Sequence, residues 1–305
     1  MTGRKSVAGN LSPHTRHPSP LGCEQRRWRT LPCLVLLLLI HVVLPQRAAL
    51  AAPALLEDLR YQMEVLVWPD AARVRVTLKD QGQGRLVAEV TGETRGFIKI
   101  MSGNHKERLQ TEMIWREGRL VPLVYREESW RHGKRAFKEY RFDYPQARLE
   151  LWEWHEGKGL LKKWQTDLPE QVYDPLSAFY NCRLKILGPT REGESSTIQG
   201  IPYPQPEALE VRLGPETDEG RQAMVSLVNP VFAGTRGVVF AMIDANRVPH
   251  RAWTTVFGVT IKGALLPASV MMPAGLPGLP ASGPGATQPP QAEIATPNLS
   301  RGSPP

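Results

Sequence analysis

The sequence predicts a mainly β protein: a curved antiparallel sheet, or half-barrel, with one helix packed on its concave side. Three observations lead there. Apolar and polar residues alternate with period two over most of residues 55–266, broken by short turn signals. One segment near residues 174–187 departs from that pattern with helical spacing. Both ends of the chain have compositions that do not suit a packed sheet, so the core must be built between them.

Residues 1–30 are polar and basic, an apolar run LPCLVLLLLIHVVL follows at 31–44, and small residues stand at Ala49 and Ala51. A positive region, a short apolar core and an Ala-x-Ala site make a secretory signal peptide over residues 1–51, cleaved before Ala52. Fourteen residues at about 1.5 Å each reach only ~21 Å, short of a ~30 Å hydrocarbon core. The alternative is an uncleaved signal anchor, and either way the chain is expected to be exported.

The leader also explains the charge. Seven of the 38 Lys and Arg residues and one of the 30 Asp and Glu residues lie within 1–51, which leaves 31 against 29, a net of +2. The high pI is therefore largely a targeting signal, and no nucleic-acid partner is implied. Of three cysteines only Cys182 follows residue 51, so the exported chain has no internal disulfide to rely on. At the other end, residues 267–305 are rich in Pro, Ala, Gly and Ser and carry only Glu293 and Arg301 as charges. Such a segment is expected to be a disordered tail.

The domain between, residues 52–266, reads as hairpins. Residues 60–68 lead into 72–80, where Val74, Val76 and Leu78 alternate with charged and polar residues, and QGQG at 81–84 turns the chain into 85–93. Residues 102–110 suggest a loop or a short helical turn. Two strands flank Glu117–Gly118 within 111–129, and another pair, 136–144 and 147–156, flanks Pro145. Later strands are expected at 208–213, 223–232, 237–244 and 252–265. The alternation leaves one sheet face wet.

The helix begins at Asp174, a good N-cap, with Pro175 at the first helical position. Leu176, Phe179, Tyr180, Leu184 and Leu187 share one apolar face, and Gly188–Pro189 is the expected stop. Cys182 sits off the centre of that face. Neither it nor His105, His132, His155 and His250 stands in a catalytic pattern. No spacing suits zinc or calcium, and no phosphate-cradling loop is present. No cofactor, metal or catalytic residue is therefore expected.

The helix Asp174-x-Leu176-Ser177-x-x-Tyr180-x-x-Arg183, the strand motif Gly118-x-Leu120-x-Pro122-x-x-Tyr125, the pair Phe142–Asp143 and the closing stretch VPHRAWTTVFGVTIKGAL together resemble the bacterial envelope family named domain of unknown function 3108. The resemblance spans about residues 58–266. It implies a protein exported to the periplasm of a Gram-negative-type bacterium, or held in the inner membrane by an uncleaved anchor and facing the periplasm, with a half-barrel similar to those of lipoprotein carriers, and Asp174, Leu176 and Ser177 as structural elements of the helix motif. It implies no activity.

Two features point to a ligand, each with a plainer reading beside it. Arg183 lies within the span of the helix's apolar face. Its charge is either paired internally, with a strand carboxylate such as Asp143, or kept with Tyr180 for an anionic headgroup. Trp152 and Trp154 share one face of their strand, and line either an acyl-chain groove or simply the core. The leading functional expectation is non-enzymatic binding of an apolar or amphipathic ligand, such as a lipid or lipoprotein. The alternative is a structural or interaction module, with other envelope components as partners and its core filled by its own side chains. A hydrolase using Cys182 or an Asp/Glu pair ranks last.

Overall fold

A computed structural model describes residues 53–201, 208–227, 238–256 and 258–272. Residues 1–52 and those after 272 lie outside the described residues, as do the expectations of a signal peptide and a disordered tail placed on them. Among the described residues fourteen strands form one antiparallel sheet. The first eight are β1 (Ala54–Val65), β2 (Trp68–Gly82), β3 (Arg85–Thr94), β4 (Lys106–Arg116), β5 (Arg119–Arg131), β6 (Lys134–Asp143), β7 (Arg148–His155) and β8 (Gly159–Asp167). After the main helix come β9 (Ser195–Gln199), β10 (Ala208–Thr217), β11 (Gly220–Leu227), β12 (Val238–Ile243), β13 (Pro249–Val256) and β14 (Val259–Leu265). The order across the sheet is β8 to β1, then β14 to β9, so β1 and β14 pair in the middle and β8 and β9 form the edges. The sheet is open, as the half-barrel reading requires.

Tight turns set the hairpins. At Glu117–Gly118 both residues have positive φ, 52° and 78°, the geometry of a two-residue turn whose twist matches the strands it joins. Among the described residues two helices interrupt the strands: α1 (Gly96–Met101) between β3 and β4, and α2 (Pro175–Arg183) between β8 and β9. The short helix thus precedes residues 102–110, and that stretch instead supplies a turn and the start of β4. The span 252–265 is two strands rather than one, and β8 and β9 lie where no strand was expected.

The open edges are bridged by the chain that leads into α2. The Leu168 amide donates to the Ala147 carbonyl beside β7, and the Tyr173 amide donates to the Gln199 carbonyl at the end of β9. A parallel bridge joins Tyr173 to Gly200. Val172 and Ile201 are buried with Tyr125, Tyr140, Phe142, Leu149 and Leu151.

α2 packs on β3, β4 and β5. Leu176 and Tyr180 enter a cluster with Leu59, Leu78, Leu86, Met113 and Leu120, all buried. The opposite face is wet and ladders its charges across strands: Arg126 pairs with Glu112 at 2.6 Å and Glu139 at 2.7 Å, and Arg141 also reaches Glu139. The packed domain runs past the expected boundary at 266. The chain turns at Leu266–Ser269, Val270 bridges to Asp58 through two 2.8 Å backbone hydrogen bonds, and Met272 is buried in the main cluster.

Candidate functional site

α2 is held at both ends and in the middle. At its start the Asp174 carboxylate Oδ1 accepts from the Leu176 and Ser177 amides at 2.9 and 3.1 Å, which is the expected N-cap. The same oxygen accepts from Thr111 Oγ1 at 2.6 Å, tying the cap to β4. Ser177 is fully buried and donates from Oγ to the Asp174 carbonyl. Asp174 has no exposed surface, and its Oδ2 finds no hydrogen-bond partner among the described residues. Burial accordingly pushes its carboxyl above the usual range, against the hydrogen bonds that favour the charged form.

In the middle stands Asn181, a residue that the sequence reading did not single out. Its Oδ1 accepts from the Leu120 amide at 2.9 Å and its Nδ2 donates to the Leu120 carbonyl at 2.7 Å. The side-chain amide thus pairs with β5 as a neighbouring strand would. Its one visible signal was a polar residue at a position that helical spacing places next to Ser177, three residues after Ala178.

The helix ends at Arg183, earlier than Gly188–Pro189 suggested. Lys185 adopts φ 60°, its amide donates to the Cys182 carbonyl, and the Ile186 amide donates to the Asn181 carbonyl. This is the paired hydrogen-bond pattern of a Schellman stop, with Lys where Gly is usual. From the loop between β12 and β13, Arg247 donates to the carbonyls of Cys182 and Pro189, each at 2.8 Å. A guanidinium therefore serves the carbonyl end of the helix, where positive charge is favoured.

Arg183 and Tyr180 do meet, but on a residue of the protein itself. Arg183 forms an ion pair with Glu57, whose side chain is fully buried while that of Arg183 is 3% exposed. The Tyr180 hydroxyl donates to Glu57 Oε2 at 3.1 Å, and the Met272 amide donates to Oε1 at 3.3 Å. The partner is therefore Glu57 and not Asp143. A register shift at Leu55–Glu57 in the pairing of β1 with β2 marks a bulge just before it. Glu57 shares its face with Leu59, under α2, whereas Asp58 faces away and binds Arg75 and Arg60, each at 2.7 Å. Those arginines, Arg75 first, hold the Asp58 carboxyl at about 2.

Trp152 and Trp154 lie on the face opposite the helix. Trp152 Nε1 donates to Glu150, and its ring is covered by the Arg141 guanidinium 4.6 Å from the centroid. Trp154 is 44% exposed, with Arg135 against its ring. On the same strand Leu149 and Leu151 point inward and are fully buried. The structure does not bring the two tryptophans to Tyr180 and Arg183. It places them among surface cations, neither in the core nor in a groove under α2.

Cys182 is packed with Tyr173, Ala178, Ile198 and Leu187. Burial pushes its thiol up to about 11, the opposite of what a nucleophile needs. Among the described residues no group of His, Cys, Asp and Glu is placed to hold a metal ion, and no helix is long and apolar enough to cross a membrane. A cleft of about 600 Å³ lies on the outer face, over β1–β5, and its lining includes Arg60, Arg75, Arg95, Arg108 and Trp130. Several of its cations are already paired, Arg60 and Arg75 with Asp58 and Arg108 with Glu89.

The family model described as a protein of unknown function, DUF3108, matches residues 60–258. Glu57 and Met272 lie just outside that span. No curated protein matches the chain in sequence. A crystal structure described as a beta-barrel-like protein of domain of unknown function DUF1849 from Brucella abortus aligns at a TM-score of 0.42 and 10% identity, over 69% of this chain and 96% of that one.

Proposed function

Since the chain belongs to the DUF3108 family, whose description carries no activity, we propose from its geometry that it is a non-catalytic protein of the bacterial envelope. It is exported to the periplasm and engages amphipathic partners, lipid or lipoprotein, through its surfaces rather than between helix and sheet. The observation that carries this reading is the Glu57–Arg183–Tyr180 cluster. The one cation on the inner face of α2 is neutralised by the protein's own carboxylate, and Leu59, Leu78, Met113, Leu120 and Tyr180 fill the space around it. An anionic ligand there would have to displace a buried ion pair, at a cost of several kcal/mol. Export rests on the leader composition.

A second reading, a ligand held on the inner face away from α2, is favoured by one feature. Ala223, Ala241, Ala252 and Gly263 lie in a single register row across β11–β14 and occupy little room.

Protein purified from its own envelope tests both. N-terminal sequencing is expected to begin at Ala52, and native mass spectrometry to give the mass of the polypeptide alone. Retention of residues 31–44 makes it a signal-anchored protein instead. A lipid adduct that survives gentle desolvation replaces the surface reading with the enclosed one.

A further inference from the structure

Strand direction places two kinds of surface at opposite ends of the sheet. α2 covers the end where β1 and β5 begin, at Glu57 and Leu120. The β1–β2 turn, α1 and the β5–β6 turn stand at the other end, and there large apolar side chains face water. Val67 is 81% exposed and Ile100 76%, with Met101, Leu66 and Phe97 at half or more. α1, GFIKIM, buries none of its residues.

This surface is one rigid unit. Trp68 stacks on Phe97 with centroids 5.5 Å apart, joining the β1–β2 turn to α1. The Arg95 amide donates to the Ala71 carbonyl at 2.8 Å, and the His132 amide donates to the Gly103 carbonyl at 2.8 Å, fixing α1 between its neighbours. The His132 ring lies so close to Gly103 that a Cβ there would meet it at 2.3 Å. Around the apolar tips stand the exposed cations Lys99 on α1, Lys106 just after it, and Arg131 and Lys134 beside the β5–β6 turn, while Arg95 at the cap of α1 is paired with Asp70 at 3.3 Å and Glu93 at 3.8 Å.

We infer that this end of the sheet docks on an anionic lipid bilayer, with Leu66, Val67, Phe97, Ile100 and Met101 entering the headgroup–acyl boundary and the surrounding cations on the lipid headgroups. Protruding apolar tips ringed by positive charge complement a soft, negative, laterally extended surface. A second copy of the same end would bring like charges together, and a grooved protein partner would have to supply a matching ring of acids. A contiguous exposed apolar surface of this kind is uncommon on a protein that works free in solution. The inference names the partner of the surface role proposed above and rests on that reading only for the compartment. Vesicle binding in vitro succeeds or fails independently of leader cleavage.

The test uses protein recovered from its own envelope, with wild type and variants prepared alike. It is floated with vesicles of phosphatidylethanolamine and phosphatidylglycerol, and separately with phosphatidylcholine alone. Wild type is expected to float with the anionic vesicles, more weakly at high salt, and with a blue-shifted tryptophan emission from Trp68. Ile100→Asp should weaken flotation about tenfold or more, the loss expected when one large apolar side chain no longer transfers from water. Lys99→Glu should weaken it less, and Leu161→Asp, at an exposed apolar site on β8, should leave it unchanged. All three variants should melt as wild type does. Equal flotation of wild type and Ile100→Asp, or none by wild type, overturns the inference. So does a dimer that Ile100→Asp converts to monomer, since a second copy would then be the occupant.

Discussion

Beneath α2, strands β2 to β5 present Leu78, Leu86, Met113 and Leu120 to the helix, with Leu59 on β1 beside them, whereas β10 to β13 present mainly alanine and β-branched side chains along the same face. In the first region large side chains are fully buried and both ends of the helix are capped by hydrogen bonds. In the second the buried cluster is Leu213, Ala223 and Ile243 with Ala241 against it, and Val225 and Val239 are only partly buried. Burial energy scales with the apolar area removed from water, so a row of alanines contributes far less than a row of leucines and methionines. Gly263 sharpens the point: a Cβ there would approach Met63 Sδ to 3.0 Å, so β14 gives up its own side chain to seat one from β1. Stability is concentrated where the helix sits, and the other arm of the sheet is held chiefly by its backbone ladder.

The largest test of that contrast is the buried ion pair. Arg183→Met keeps the stem and strands Glu57, so unfolding by urea should show a loss of about 3–5 kcal/mol. The double variant Glu57→Met/Arg183→Met should recover much of it, because two apolar side chains then replace two charges. A single variant that melts like wild type would mean that the charge cluster contributes nothing to the seat of the helix.

Asn181→Ala comes next. It leaves the amide and carbonyl of Leu120 buried without their partner, and should cost about 2–4 kcal/mol by the same measurement, since each stranded group costs about 1–3 kcal/mol. Asp58 gives a pH-dependent version of the comparison. Its carboxyl is held at about 2 in the folded protein and titrates near 3.8 when unfolded. The stabilisation is therefore present above pH 4 and lost as pH falls from about 4 through 2. Both arginine partners are half exposed, so screening limits it to about 1–2 kcal/mol. Asp58→Asn should be less stable than wild type at pH 6, and the difference should shrink as pH falls through 2 and vanish below it.

The smallest effects are expected away from the helix's inner face. Val239→Ala in β12 should cost about 1 kcal/mol or less, because the site is only partly buried. A loss near 3 kcal/mol would show that the alanine-rich arm is as tightly packed as the region under α2. Cys182→Ser should cost about 1 kcal/mol or less and leave any phenotype intact. Loss of phenotype with an unchanged melting curve would restore a chemical role to the thiol.

Hairpins with clear alternation and paired turn residues were legible from the sequence, as was the start of α2, because Asp174 and Pro175 act through purely local geometry. The end of α2 was not. Gly188 looked like the stop, yet the residue with positive φ is Lys185, and carbonyls at the end of the helix are taken up by Arg247, more than sixty positions along the chain. The need of Arg183 for a partner could be read from its place on an apolar face, but which strand carboxylate would supply it depends on the packing of α2 over β1. Extending the alternation Met63, Tyr61, Leu59 back by two lands on Glu57, and an acid in that series was the available sign. Trp152 and Trp154 misled because two alternating series run through the same strand, and only packing decides which faces inward.

The Glu57 cluster also orders events in time. The carboxylate lies near the start of the packed chain, its arginine follows 126 positions later, and the amide that completes its coordination comes 215 positions later. A polypeptide made from its N-terminus holds that carboxylate without Tyr180 and Arg183 until well past the middle of the domain, and without its full set of partners until nearly the whole domain has been synthesised. β1 can pair with β2 early, but its other neighbour, β14, and the turn that delivers Met272 arrive last. Closing such long loops is slow relative to forming adjacent hairpins. Final consolidation of the sheet's centre must therefore await the C-terminal segment, and a chain cut short at residue 266 would retain its hairpins while lacking the contacts that finish them.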